Sequence, residues 1–143
     1  LVAPLLLFLL ITYIFPIADM FTRIRNAQIV SFDSITFQYS NVKCEIAKIL
    51  ANEGYINGFE IVNDDLNKRM LKLTLKYDKD GQPLIESIRR VSKPSRRVYT
   101  KKKDIYKVLN GFGTLILSTS KGILSGKDAR IKNLGGEIIG EVF

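Results

Sequence analysis

Thr114-Leu115-Ile116-Leu117-Ser118-Thr119-Ser120-Lys121-Gly122-Ile123-Leu124-Ser125 is the stretch that decides how this chain is read. Its first four residues form a short apolar run, strand-like in length and composition. The run gives way at once to three hydroxyls, an ammonium and a glycine. Hydroxyls both donate and accept hydrogen bonds, which suits base edges and ribose 2′-OH groups. Lys121 adds a phosphate contact, and Gly122 lets the backbone come close to a partner. Composition alone favours the plainer reading, a polar turn after a strand.

Upstream, the elements alternate between helix and strand. Pro16 suits the first position of a helix, and Ile17, Met20, Phe21 and Ile24 recur at helical spacing. Ile29 to Tyr39 reads as a strand or two with a turn near Asp33-Ser34. Val42, Ile46, Ile49 and Leu50 mark a second helix, ended by Gly54. Tyr55 to Val62 reads as a strand. Met70 to Tyr77 sets Leu71, Leu73, Leu75 and Tyr77 against Lys72, Thr74 and Lys76, the alternation of a half-buried strand. Asp78-Lys79-Asp80-Gly81-Gln82-Pro83 is a turn-rich polar break, either a domain boundary or a plain hairpin connection.

Past that break, Leu84 to Val91 is strand-like and basic residues then crowd together. Arg89, Arg90, Lys93, Arg96, Arg97, Lys101, Lys102, Lys103 and Lys107 are opposed locally by Asp104, with Tyr99 and Tyr106 interleaved. That density of cations with aromatics is the signature of a nucleic-acid face more than of a merely solvated loop. Ile105 to Leu109 suggests a short helix stopped by Asn110-Gly111. Short strands follow at Thr114 to Ser118, near Ile123, and at Ile138 to Phe143, with a helical turn at Lys127 to Asn133. The expected fold is therefore α+β in two small lobes. Residues 16–80 form an α/β lobe with two helices and a short sheet, and residues 81–143 a mainly β lobe with short helices.

Charge and missing residue types bound the chemistry. The 143 residues carry 22 Lys and Arg against 14 Asp and Glu, a net charge of +8, which calls for a polyanionic partner such as nucleic acid or an acidic membrane. With no histidine, the chain cannot build a Ser-His-Asp or Cys-His arrangement. A single cysteine, Cys44, excludes an internal disulfide and a cysteine-rich zinc site, and its place in a helical pattern suits a buried small side chain. Asp64 and Asp65 read as turn formers. No enzyme activity, cofactor, metal or small-molecule substrate is expected.

Leu1 to Ala18 carries no charge and is mostly aliphatic or aromatic, close to the length of a membrane span. Pro4 and Pro16 interrupt it, no basic residue precedes it, and neither a signal-peptide cleavage site nor an Arg- and Ser-rich transit composition is visible. The chain opens on Leu, as a processed product, a fragment or a non-standard start would. Residues 1–15 are expected to be an apolar extension packed on a neighbour or on the protein itself. The alternative is a membrane-associated basic protein anchored by that segment; membrane contact is not the favoured expectation.

The order of residues carries more than their composition. Ser118-Thr119-Ser120-Lys121-Gly122-Ile123-Leu124, then Ala129-Arg130 and Gly135-Gly136-Glu137, resemble the signature of the eighth small-subunit ribosomal protein family. Pro16-Ile17-Ala18-Asp19-Met20-Phe21-Thr22-Arg23-Ile24-Arg25-Asn26-Ala27 looks like that family's opening helix. Glu53-Gly54-Tyr55-Ile56 with Gly58-Phe59-Glu60, Arg90 to Tyr99, and Val108 to Gly113 follow in family order, so the resemblance runs from about Pro16 to Phe143. It implies a two-lobed structural constituent of the small ribosomal subunit that binds and stabilises the central domain of small-subunit rRNA, with neighbouring ribosomal proteins as partners. It also implies a ribosomal location, in the bacterial cytoplasm or in a mitochondrion or plastid. The RNA-binding residues it implies are Thr22, Arg23, Arg25 and Asn26 on the opening helix; Lys93, Ser95, Arg96, Arg97 and Tyr99 around the central loop; Ser118, Thr119, Ser120, Lys121 and Gly122; and Glu137. Gly135 and Gly136 are expected to shape the backbone. Ser95 stands where many relatives have Gly, Ser125-Gly126-Lys127 replaces a Thr-bearing turn, and Phe143 ends the chain where Trp is frequent.

Overall fold

Pro16 opens α1 (Pro16–Ile29) in the computed structural model, which describes residues 16–143. The extension expected at residues 1–15, with its packing or anchoring role, lies outside the described residues. One face of α1 buries Met20, Phe21, Ile24 and Ala27, while Thr22, Arg23, Arg25 and Asn26 face outward. The helix runs further than the strand expected from Ile29 would allow. Ser31 takes a left-handed φ of 58°, Ser31 N donates to Gln28 O and Phe32 N to Ala27 O (3.0 Å), a cap that stops the helix only after Ile29. Ile29 and Val30 look strand-like by type. The stripe from Met20 to Ala27 fixes the helix register, and that register leaves both exposed.

A single strand, β1 (Ser34–Gln38), then leads to α2 (Asn41–Asn52). Ser40 caps α2 by accepting from Lys43 N (3.2 Å), and Gly54 ends it with φ +81°, the left-handed step that glycine takes without strain. β2 (Ile56–Asn63) and β3 (Arg69–Leu75) complete an antiparallel sheet in the order β1-β3-β2. Register pairs Ile35 with Leu73 and Phe37 with Leu71, so one face of the sheet is apolar and meets the helices. Cys44 is buried on the inner side of α2.

The polar break is a tight turn: Asp78 Oδ1 accepts from Asp80 N and Gln82 N (2.9 Å each), and Tyr77 bridges to Pro83. Beyond it, the expected Leu84 to Val91 strand is regular only at Ile88–Arg90 (β4), although Val91 N still donates to Ile139 O (3.0 Å). At its start Glu86 N and Ser87 N both donate to the Phe143 carbonyl, at 2.7 and 2.8 Å, and Phe143 N donates back to Ser87 O (2.9 Å). β5 is the short pair Tyr99–Thr100. The helix expected at Ile105 to Leu109 is replaced by one 3-10 turn, Val108–Gly111, in which Leu109 and Asn110 are left-handed. Four residues gain too little cooperative bonding to hold an α-helix, and Ile105 and Val108 are instead placed by burial.

β6 (Thr114–Thr119), β7 (Gly122–Ser125), α3 (Gly126–Ile131) and β8 (Gly136–Val142) close the chain. The second sheet runs β4-β8-β6-β7, with β5 beside β4 on the same edge of β8. Both faces of β6 are covered, which is why its sequence is a continuous apolar run. Ile116 faces the first lobe, and Leu115 and Leu117 face a smaller cluster with Ile105, Val108, Ala129 and Ile138.

The fold is α+β, an α/β lobe followed by a mainly β lobe. The main apolar cluster crosses the break near residue 80, joining Met20, Phe21, Leu71 and Leu73 to Ile88, Ile116, Ile139 and Val142. Phe21 packs against Gly140 so closely that a Cβ there would lie 2.8 Å from the ring. Burying a side chain of this size contributes roughly 2–3 kcal/mol. Among the described residues no helix is long and apolar enough to cross a membrane.

Candidate nucleic-acid interface

Sheet register assembles residues that lie far apart in the sequence. Tyr99 of β5 pairs with Glu137 of β8, Glu137 with Ser118 of β6, and Ser118 with Ile123 of β7. Register partners point to the same face, and neighbouring strands lie about 5 Å apart. Tyr99, Glu137 and Ser118 therefore form one row about 10 Å long, with Tyr99 and Ser118 exposed. The row lies on the face of the sheet that also carries Ile116, just beyond the part covered by the first lobe. Gly135 and Gly136 allow the strands to approach. A Cβ on Gly136 would sit 2.0 Å from Ser118 O, and one on Gly135 would sit 2.5 Å from Thr100 O. Neither glycine has a left-handed φ. Their service is space, not torsion.

The β6–β7 tip separates the three hydroxyls into different roles. Thr119 Oγ1 donates to Gly122 O (2.8 Å) and accepts from Lys121 N (3.1 Å), so this hydroxyl is spent on holding the turn. Ser118, Ser120 and Lys121 remain exposed. Gly122 alone takes the left-handed step (φ +102°), as a hairpin loop ending in a glycine bulge requires.

Glu137 is engaged from within. Its Oε1 accepts from Ser92 Oγ and Arg97 Nη1, both at 2.9 Å, and Ser92 Oγ also accepts from Val98 N at 3.1 Å. Arg97 thus spends its charge on Glu137. Burial, then the positive charge of Arg97, holds the neighbouring Arg90 guanidinium below the usual arginine range, with Glu137 opposing. Lys93 and Arg96 close a tight turn over Pro94-Ser95 by reciprocal backbone bonds of 2.9 and 3.0 Å. Ser95 has no left-handed φ there, so the turn does not need a glycine. Lys93, Ser95 and Arg96 are exposed, and neither cation is in an ion pair among the described residues.

The helix-borne residues form a separate set. Thr22, Arg23, Arg25 and Asn26 share the outer side of α1, but Arg23 turns back to the fold. Its Nη2 donates to Thr36 O (2.7 Å), and the guanidinium lies 4.6 Å from the centre of the Phe37 ring. Arg25 Nη2 rests on Thr22 Oγ1 at 3.2 Å. Among the described residues no hydrogen bond or ion pair joins this set to the hairpin set.

Three anchors have no clear sign in the sequence. Buried Glu141 accepts from Arg89 Nε (3.0 Å) and Nη2 (2.8 Å) and from the Tyr106 hydroxyl. Burial first, and this bond second, push the Tyr106 phenol up to about 12. Tyr106 thereby pins the Lys101–Lys107 stretch to the sheet. Ser92 and Glu45 are the others. Ser92 links Glu137 to Val98, and Glu45 Oε2 accepts from Ile123 N at 3.3 Å. Periodicity singles out none of these, because each has a partner more than 30 residues away.

The sequence that builds these elements is similar to that of known proteins. The model of the family described as Ribosomal protein S8 matches residues 16–143. The chain belongs to the ribosomal protein S8 family. It is similar to the small ribosomal subunit protein uS8 of Syntrophus aciditrophicus, with 50% identity over 128 residues, 90% of this chain and 96% of that protein. The uS8 proteins of Staphylococcus saprophyticus (46%, the same coverage) and Clostridioides difficile (46% over 124 residues, 87% of this chain and 93% of that protein) are similar to it as well. Ribosomal protein S8 is a structural family, not an enzyme family, in keeping with the absence of histidine and of any catalytic constellation in the sequence. The family span coincides with the resemblance read from Pro16 to Phe143.

Proposed function

We propose that this S8-family chain is a structural constituent of the small ribosomal subunit that binds and stabilises the central domain of small-subunit rRNA during assembly and translation. The observation that carries the reading is the row Tyr99, Glu137, Ser118 with Ser120 and Lys121 beside it at the hairpin tip. A-form RNA hides its base edges in a deep groove, so recognition relies on the shallow groove, 2′-OH groups and distorted bases. Two exposed hydroxyls, a phenol ring and a carboxylate with one oxygen outside the internal bonds suit those groups in type. Lys121, Lys93 and Arg96 supply phosphate contacts whose strength falls as salt rises. Neighbouring small-subunit proteins are the other partners. The bacterial relatives support a ribosome of bacterial type.

The test is a titration against the central-domain rRNA fragment in magnesium, with a scrambled RNA of equal length as competitor. Binding that survives the competitor is expected, and Ser120→Ala with Lys121→Ala should weaken it by roughly tenfold or more. Unchanged binding by that double variant would overturn the reading.

A further inference from the structure

We infer that Glu45, on the first lobe, is a positioning residue for rRNA recognition: it holds the β6–β7 hairpin in the orientation that presents Ser118, Ser120 and Lys121. The inference rests on the RNA-binding reading above. β7 is an edge strand, and alternate N–H groups of an edge strand point away from its one partner. That of Ile123, the residue paired with Ser118, donates to Glu45 Oε2 at 3.3 Å. The same carboxylate lies against Gly122, where a Cβ would be 3.5 Å from Oε1. The Ile123 side chain packs on the main apolar cluster that the two lobes share, so an apolar contact accompanies the polar one there.

Glu45 is itself well placed for this. α2 is capped by Ser40, ended at Gly54, and buries Ile46, Ala47, Ile49 and Leu50, which fixes the carboxylate against the hairpin. Glu45 forms no ion pair among the described residues, so its contribution to the fold is this backbone bond. A carboxylate beside a phosphate-binding loop also opposes RNA electrostatically. Its presence there is explained by geometry and not by attraction.

Glu45→Ala keeps a strong helix former at a partly exposed position and removes the acceptor; Glu45→Gln keeps an acceptor oxygen and removes the charge. Both are compared with the unmodified chain in the titration above, together with amide hydrogen exchange at Ile123. The expected result for Glu45→Ala is faster exchange at Ile123 and affinity lower by about fivefold, the scale of one lost hydrogen bond, with the slope against log salt unchanged. Glu45→Gln should restore both. Full affinity in Glu45→Ala, while the unmodified chain discriminates its RNA from the competitor, overturns the inference alone. An equal loss in Glu45→Gln also overturns it, because the acceptor would not be the cause. If the unmodified chain fails to discriminate, the RNA-binding reading falls and takes this inference with it.

Discussion

The hairpin row and the outer face of α1 use the same residue types, hydroxyls and cations, yet the fold treats them in opposite ways. On the sheet, register brings Tyr99, Glu137 and Ser118 side by side from three strands and leaves the outer two exposed. On the helix, side chains three and four apart are neighbours and satisfy one another, as Arg25 does with Thr22. Arg23 goes further and joins the structure of the first sheet through Thr36 and Phe37. A sheet aligns residues that have no local partner, whereas a helix aligns residues that do. An exposed cation on α1 is therefore a weaker sign of ligand contact than an exposed hydroxyl on the β6–β7 hairpin.

The strongest way to break that contrast is Gly136→Val. Its side chain would have to displace Ser118 O, so β8 and β6 must separate. We expect a loss of about 3 kcal/mol in urea unfolding, together with loss of discrimination between the rRNA fragment and a scrambled RNA. Normal stability and recognition would show that the row does not depend on close strand approach. A smaller effect separates the two arginines. Arg23→Ala should cost about 1–2 kcal/mol through its hydrogen bond and its place over Phe37. Arg25→Ala should stay within about 0.5 kcal/mol while lowering the salt slope of RNA binding by about one. Equal stability in the two variants would return both to the same class and erase the contrast on the helix side.

The smallest effect concerns Tyr106. A phenol raised from its ordinary value to about 12 keeps its proton in the fold after the unfolded chain has lost it. Stability should accordingly fall as pH rises from about 10 to about 12, and Tyr106→Phe should remove that part of the fall. Because Tyr106 is partly exposed, solvent screening keeps the difference small. Urea midpoints of both proteins at pH 9 and pH 11 measure it. Parallel midpoints would mean that the Lys101–Lys107 stretch is not held by Glu141 and belongs with the open cations of the Lys93–Arg96 turn.

Local signals were reliable where one segment decided its own structure. Pro16 began a helix, Gly54 ended one, and Leu71, Leu73 and Leu75 all proved to be inward-facing on β3. They failed where distant residues competed for the backbone. Leu84 to Val91 has the composition of a strand, but Leu84 N turns back to Lys76 O and Glu86 N and Ser87 N share the one Phe143 carbonyl, so regular pairing with β8 begins only at Ile88. Ile105 to Leu109 has the composition of a helix, but burial of Ile105 and Val108 against Leu115 and Leu117 outweighs it. Within the site, the motif from Ser118 to Gly122 was visible as a unit, yet nothing in it distinguishes the Thr119 hydroxyl, which closes the turn, from those of Ser118 and Ser120.

From its sequence alone the chain could be assigned the α+β class, a basic surface, the exclusion of histidine chemistry and the ribosomal protein S8 pattern, because composition, periodicity and residue order are properties of neighbours along the chain. Only the tertiary structure decided that Tyr99, Glu137 and Ser118 stand in one row, that Arg23 faces the fold, and that Glu45 and Ser92 matter at all. Those facts depend on strand register and on how the first lobe packs against the second sheet. Both follow from burying Phe21, Ile88, Ile116 and Val142 together, residues drawn from α1, β4, β6 and β8.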